Sequence, residues 1–265
     1  MNKLIDFLLV TKAELKREWL FLKRYPLEPL SFLLFMFIIL IAIYKGLSQL
    51  SPGKIPLDVE RMIIGYSLMQ FVMASQMGWS GQVQNESQTG TLEQLSISGH
   101  SLGEIFLARG FSMLPRQIVS FFLMTVTYTL VLPESTLDFS RFYLVILTLF
   151  TTAVGIYGVA YVFAGITLLF KRVGMFFQII NFGLLGLFWQ NRETLENDIA
   201  AMIYDNFPLT QGMHLLSSAM NQSLQYSYSE YAHLVFTSLI SVSLGFLLFR
   251  KMENKAREQA LLSQY

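Results

Sequence analysis

Asn85-Glu86-Ser87-Gln88-Thr89-Gly90-Thr91-Leu92-Glu93-Gln94-Leu95 lies in the one long polar interval inside an otherwise hydrophobic chain. The sequence on both sides reads as membrane-spanning, so the fold is a set of membrane helices arranged around this insertion. A multi-span protein that keeps its longest internal cytoplasmic segment for a patterned run of Glu, Gly and Leu is expected to dock something there.

Composition supports that frame. Hydrophobic residues make up 53% of 265 and charged residues 14%, against about 25% charged in soluble domains. With 23 Phe and a mean hydropathy of +0.48, the chain reads as an integral membrane protein. The net charge of +1 matters less than where the charges lie. No cysteine is present, which excludes disulfides and thiolate metal sites. The length suits a single transmembrane domain, residues 1–265, and leaves no room for a soluble enzyme domain beside it. Asp6, Lys12, Glu14, Lys16, Arg17 and Glu18 interrupt the N-terminal apolar runs, so the start of the chain is expected to be retained rather than cleaved as a signal.

A spanning helix needs about 20 mostly apolar residues. Six stretches come close: Leu30–Leu47, Met62–Trp79, Phe111–Leu132, Phe142–Phe170, Val173–Trp189 and Tyr231–Phe249. Gly155, Gly158, Gly165, Gly183 and Gly186 suggest close helix contacts within them. Placing the N-terminus inside leaves fourteen Lys and Arg on the inner segments and five on the outer ones (Lys45, Lys54, Arg61, Arg141 and Arg192). The positive-inside rule then puts both termini in the cytoplasm of a multi-pass protein of the plasma (inner) membrane.

Two flanking segments complete the expected architecture. Residues 4–24 mix Ile5, Phe7, Leu8, Leu15, Trp19, Leu20 and Leu22 with five basic and three acidic residues. This is the composition of an amphipathic helix lying along the interface, its cations toward anionic lipid. Pro26 and Pro29 end it, and Pro29 suits the first turn of the next helix. In the outer segment 191–230, Leu195, Ile199, Met202, Ile203 and Phe207 recur at helical spacing until Pro208 breaks the pattern, and Met213, Leu215 and Leu216 resume it. Two short helices dipping into the outer leaflet fit, provided protein covers their backbone. The predicted fold is thus an all-α polytopic membrane protein with six transmembrane helices, an N-terminal interfacial helix and an outer re-entrant helical segment before the last span.

Missing chemistry narrows the function. Apart from Lys45 and Arg116, each toward one end of its stretch, the six stretches hold no Asp, Glu, Lys or Arg, whereas ion-coupled transporters generally carry intramembrane ionisable groups. His100, His214 and His233 are far apart, and there is no His-Glu-x-x-His, no Gly-x-Ser-x-Gly and no phosphate-binding Gly-x-x-x-x-Gly-Lys-Ser/Thr loop. The chain is therefore read as neither an enzyme nor an ATPase. Any uphill work needs energy from outside the membrane.

The polar segment, residues 80–110, is where that energy is expected to enter. The second span continues as a helix past the bilayer toward Glu86, and Gly90 breaks it. Thr91 is expected to cap a short new helix, with Leu92 and Leu95 on one face. Ser101 caps another, with Glu104 completing a capping box ahead of Ile105 and Leu107.

With those residues in place, the chain resembles the permeases of the type 2 ABC exporters, the class that handles drugs, polysaccharides and lipids. Their loop after the second span typically reads Glu, a few residues, Gly-Thr-Leu-Glu, Leu, then a turn with Ser, Glu and Ile. Glu86, Gly90-Thr91-Leu92-Glu93, Leu95, Ser101, Glu104 and Ile105 stand in those places. The likeness extends to the interfacial helix, the six spans and the proline-broken outer segment. Gly99-His100 departs from it, standing where the family commonly has a proline.

The resemblance implies that the short helix at Gly90–Leu95 is a coupling helix seated on a separate ABC ATP-binding subunit. Leu92 and Leu95 would then be apolar anchors, and Glu93 and Glu104 would pair with basic groups of that partner. Glu86 would hold the hairpin to the Lys- and Arg-rich interfacial helix. ATP and Mg would belong to the partner, with no cofactor on this chain and no nucleic acid involved. Two permease copies, identical or not, would form the path. In related exporters spans two and five line the cavity, which makes Gln70, Met73, Gln76, Met77, Phe177, Asn181 and Leu184 the candidates here. Two other readings compete: a membrane assembly or regulatory protein that recruits a cytoplasmic partner without transport, and a passive channel.

Overall fold

The apolar runs become helices. The computed structural model describes residues 3–50, 59–96, 101–132, 137–170, 173–189, 197–221 and 224–259, and every regular element there is helical. In chain order these are α1 Lys3–Arg24, α2 Leu27–Leu50, α3 Val59–Gln76, α4 Gln82–Gln88, α5 Thr91–Ser96, α6 Leu102–Val131, α7 Phe142–Phe170, α8 Gly174–Trp189, α9 Asp198–Asn206, α10 Pro208–Met220 and α11 Tyr228–Glu258. A π-turn, Met77–Gly81, carries α3 into α4. The Gly99-His100 turn and residues 190–196 lie outside the described residues.

Four of these helices are long and apolar enough to cross a membrane: Leu27–Gly46, Leu102–Val131, Phe142–Phe170 and Tyr228–Glu258. Two of the six expected spans fall outside that set, for different reasons. Helix α8 has 16 residues, about 24 Å at 1.5 Å per residue against an apolar bilayer core about 30 Å thick. Helix α3 dilutes its apolar residues with Glu60, Arg61, Gln70 and Gln76. It is buried continuously from Met62 through Val72, among α6, α7, α8 and α10. Polar side chains are tolerated on such a helix because protein rather than lipid surrounds them. The helix of the third expected span begins at Leu102, well before Phe111, and so takes up the last part of the polar segment.

The most extensive seam joins α7 to α11. Glycine makes it close. A Cβ at Gly158 would run into the backbone of Ser241, and one at Gly245 into the carbonyl of Gly158. The Ser241 hydroxyl crosses the seam to donate to the Gly155 carbonyl at 2.8 Å. Gly155 packs against Pro208 and Gly165 against Met252, so three of the five glycines singled out from sequence do admit neighbours, while Gly183 and Gly186 face open space.

The same seam sets the ends of the bundle. Phe246, Phe249 and Met252 of α11 meet Gly103, Phe106 and Gly165, so the C-terminal part of α11 lies at the end of the bundle that carries α4 and the start of α6. At the opposite end, α10 starts beside Gly155, midway along α7, and returns until the Met220 carbonyl accepts from the Asp138 N–H at 2.8 Å. The break between α9 and α10 therefore lies deep in the bundle, where loose carbonyls are costly. Two side chains satisfy them. The Thr210 hydroxyl donates to the carbonyls of Tyr204 and Phe207, and the Gln211 amide donates to that of Asp205.

Substituting Gly158 with Leu forces α7 and α11 apart, and the thermal unfolding midpoint in detergent should fall accordingly, since overpacking typically costs about 1–3 kcal/mol. Gly186→Ala meets nothing within 4 Å and should leave that midpoint unchanged or slightly higher.

Candidate functional site

The site is the hairpin between α3 and α6. Its descending arm is the helical run from α3 through the π-turn into α4. A π-turn inserts an extra residue into the helical register and is often found at functional positions. Here it turns Trp79 into the bundle, fully buried, stacked on Phe106 and Tyr157 with centroids 6.2 and 5.3 Å away and edge-on to Tyr161 at 4.4 Å. The Tyr157 and Tyr161 hydroxyls donate to the carbonyls of Gly110 and Gly103, each at 2.7 Å. Gly110 leaves the room this needs, because a Cβ there would strike the Trp79 and Tyr157 rings. The lower part of α3 is thereby clasped to α6 and α7.

The tip turns on Gly90, at φ +74°, in the left-handed region that favours glycine. Around it, the Thr89 N–H and hydroxyl both reach the Asn85 carbonyl, at 2.9 and 3.0 Å, and the Gly90 N–H reaches that of Ser87 at 3.2 Å. Thr91 is the first residue of α5 and donates its hydroxyl to the Glu86 carbonyl at 3.3 Å. It closes the end of α4, whereas the sequence suggested that it would cap α5. The ascending arm starts at Ser101 with the expected capping box. The Ser101 hydroxyl accepts from the Glu104 N–H at 3.2 Å, and the Glu104 carboxylate accepts from the Ser101 N–H at 3.3 Å.

Beneath the tip lies the strongest electrostatic feature of the described residues. Arg109, 2% exposed, sits near the start of α6. Its Nε donates to Glu14 of α1 at 3.1 Å, and its NH2 group lies 2.6 Å from Glu86 of α4. Arg17 extends the group, pairing with Glu14 at 3.0 Å and donating to Gln82 at 3.1 Å. Burial, and after it the positive charge of Arg109, lowers the pKa of Arg17 from its ordinary value. Arginine nevertheless remains charged at neutral pH. One turn further along α1, Glu18 pairs with Arg116 at 3.4 Å. Three helices distant in sequence are thus pinned through one buried guanidinium, whose planar fork suits two carboxylates at once.

This geometry relocates several residues singled out from sequence. Glu86 does tie the hairpin to α1, but through Arg109 and the acidic Glu14 rather than through the cations of α1. Leu92 is 2% exposed and belongs, with Val83, to the buried apolar cluster of the bundle. The exposed tip consists of Gln88, Thr89, Gly90 and Gln94, with Thr91 and Leu95 half-buried and Glu104 exposed nearby. The Glu93 side chain lies outside the described residues.

The cavity candidates divide likewise. Gln70, Gln76, Phe177 and Asn181 are buried, Met73 and Leu184 pack against the core, and Met77 is 62% exposed. The Asn181 amide donates to Gln76 at 2.5 Å and Phe177 lies against Phe163, so these residues join α8 to α3 and α7 within one chain. None of them lines the cleft of about 230 Å³ at the opposite end, which Glu60, Arg61, His214 and Asn221 border. Glu14, Arg109 and Trp79 were not identified as site residues from sequence. The available signal was the i, i+4 pair Glu14 and Glu18 on a basic helix, with Arg109 and Arg116 awaiting them.

These features define a polytopic helical membrane protein with a braced hairpin at one end of its bundle. Residues 9–221, from within α1 through α10, match the family model of the ABC-2 type transporters, and the chain belongs to that family. It is a permease component of an ABC transporter, without ATPase activity of its own. Comparison with curated proteins gives no match.

Removing the guanidinium by Arg109→Ala leaves the half-buried Glu86 without its ion pair and Glu14 with Arg17 alone. Thermal unfolding in detergent should register a loss of about 1–3 kcal/mol. Restoring neutrality with Arg109→Met, Glu14→Gln and Glu86→Gln together should recover a large part of that loss.

Proposed function

We propose that this chain is the membrane-spanning subunit of an ATP-driven exporter, and that its hairpin seats a separate ATP-binding subunit. The observation that carries the reading is the braced hairpin itself. An exposed tip is joined rigidly, through α4 and the Trp79 clasp on one arm and Ser101 and α6 on the other, to helices that run the length of the bundle. Closure of two ATPase subunits against such tips rocks the helices as rigid bodies, a known route between inward- and outward-open states. The family supplies the kind of partner, and the exposed Gln88, Thr89, Gly90 and Gln94 supply the seat.

In this arrangement α3 and α8 complete a set of six spans, covered by the rest of the dimer rather than by lipid. Both termini and the hairpin are cytoplasmic, and α9–α10 forms a re-entrant outer element. Two copies enclose the path. Met77, on the exposed side of the π-turn, is the residue of the cavity set best placed to face it, and its flexible thioether suits apolar cargo.

The absence of native cysteine makes the test direct. Gln94→Cys should crosslink to the ATP-binding subunit copurified with the permease, while a cysteine at the exposed Leu130 on α6 should not. Gln94→Arg should cut permease-stimulated ATP hydrolysis about tenfold, corresponding to about 1.4 kcal/mol of lost coupling. Full stimulation and transport in that variant would remove the hairpin from the coupling path. Flux without nucleotide would instead support the channel reading.

A further inference from the structure

Helix α1 has two unlike sides. Toward α6 it turns Phe7, Thr11, Glu14 and Glu18. Phe7 packs edge-on against Phe111, the Thr11 carbonyl accepts from Ser112, and the two glutamates pair with Arg109 and Arg116. Away from α6 it exposes Leu8, Leu15 and Trp19 beside Lys12, Lys16 and Lys23. At 3.6 residues per turn, the three apolar residues share a sector of about 40° and the three lysines the adjoining about 40°.

The inward use of Glu14 and Glu18 leaves the outward sector purely basic and apolar. Its position is equally specific. Only Tyr25 and Pro26 separate α1 from α2, whose Leu27–Gly46 portion is a candidate span, so α1 ends where a membrane helix begins. A basic strip next to a Leu and Trp strip at that level matches a surface that is anionic above and hydrocarbon below, with lysine stems crossing between them.

We propose that the outward face of α1 docks on anionic phospholipid headgroups, and that Arg109 passes this docking on to the α4–α5 hairpin. Arg109 holds Glu14 and Glu86 at once, and Arg17 links Glu14 to Gln82, so α1 does not shift on the bilayer without drawing α4 with it. The inference does not depend on what the hairpin seats, and it is tested on the permease alone.

The full chain is reconstituted in vesicles of phosphatidylcholine, or of an equimolar mixture with phosphatidylglycerol, with brominated lipid of one kind or the other. The emission of Trp19, taken as the difference between the native chain and Trp19→Phe, should be quenched about twofold or more better by brominated phosphatidylglycerol than by brominated phosphatidylcholine. The exposed triple change Lys12→Gln, Lys16→Gln and Lys23→Gln should bring the two to parity with an unchanged unfolding midpoint. Equal quenching in the native chain, or a preference that survives the triple change, overturns the docking, including in favour of an acidic protein as occupant.

Spin labels at Ala13→Cys on α1 and Gln94→Cys on α5 then report transmission. Phosphatidylglycerol should narrow their distance distribution in the otherwise native chain but not in the triple variant. Glu14→Gln, which keeps the basic face, should retain the quenching preference and lose the narrowing. An identical distribution in both lipids, or a narrowing that persists in Glu14→Gln, overturns the role of Arg109.

Discussion

A guanidinium buried at the foot of a membrane helix has to be neutralised where it stands, and Arg109 is neutralised by two carboxylates from separate helices. Desolvating the guanidinium is worthwhile only if both carboxylates are held against it, because a buried charge without its partners is costly. This condition fixes the positions of α1 and α4 relative to α6. It converts an amphipathic leader and a polar loop, each weakly structured alone, into parts of one body.

The rest of the hairpin is consistent with that constraint. Trp79 needs the π-turn to point inward, and the aromatic rings around it need the bare backbone of Gly110 to approach. Tyr157 and Tyr161 then attach α7 to carbonyls on the same stretch of α6 that carries Arg109. Electrostatic and aromatic clamps therefore act on one segment and adjoin at Phe106, whose ring meets both Arg109 and Trp79. The hairpin is thereby packed onto α6 and α7, and α7 in turn onto α11 through the glycine seam. At the other end, Thr210 and Gln211 let a broken helix pair lie at depth without open carbonyls.

Much of this was legible in the sequence, where a local rule applies. The Ser101–Glu104 box, the reversal at Gly90 and the break at Pro208 depend on residues within a few positions of one another, and all three stand where the pattern put them. Helix packing at Gly155, Gly158 and Gly165 was legible for the same reason, since a missing side chain invites a neighbour. What the local rules did not reach was direction. The spacing of Leu92 and Leu95 defines a shared helix face, but whether that face looks at the bundle or at a partner depends on where α4 and α5 are held. The same holds for Gln76 and Asn181, polar residues that suggested a cavity and that bond to each other between α3 and α8, while Gln70 is buried on α3.

By itself the sequence determined a helical membrane protein with a patterned polar hairpin, because hydropathy, capping and turn chemistry are written in consecutive residues. The tertiary structure alone decided which charges meet. Glu14 lies 95 residues from Arg109, Glu86 sits on a different helix from either, and the three carry no mutual spacing signal. Their association exists only once three helices converge and exclude the water that would otherwise have kept them apart.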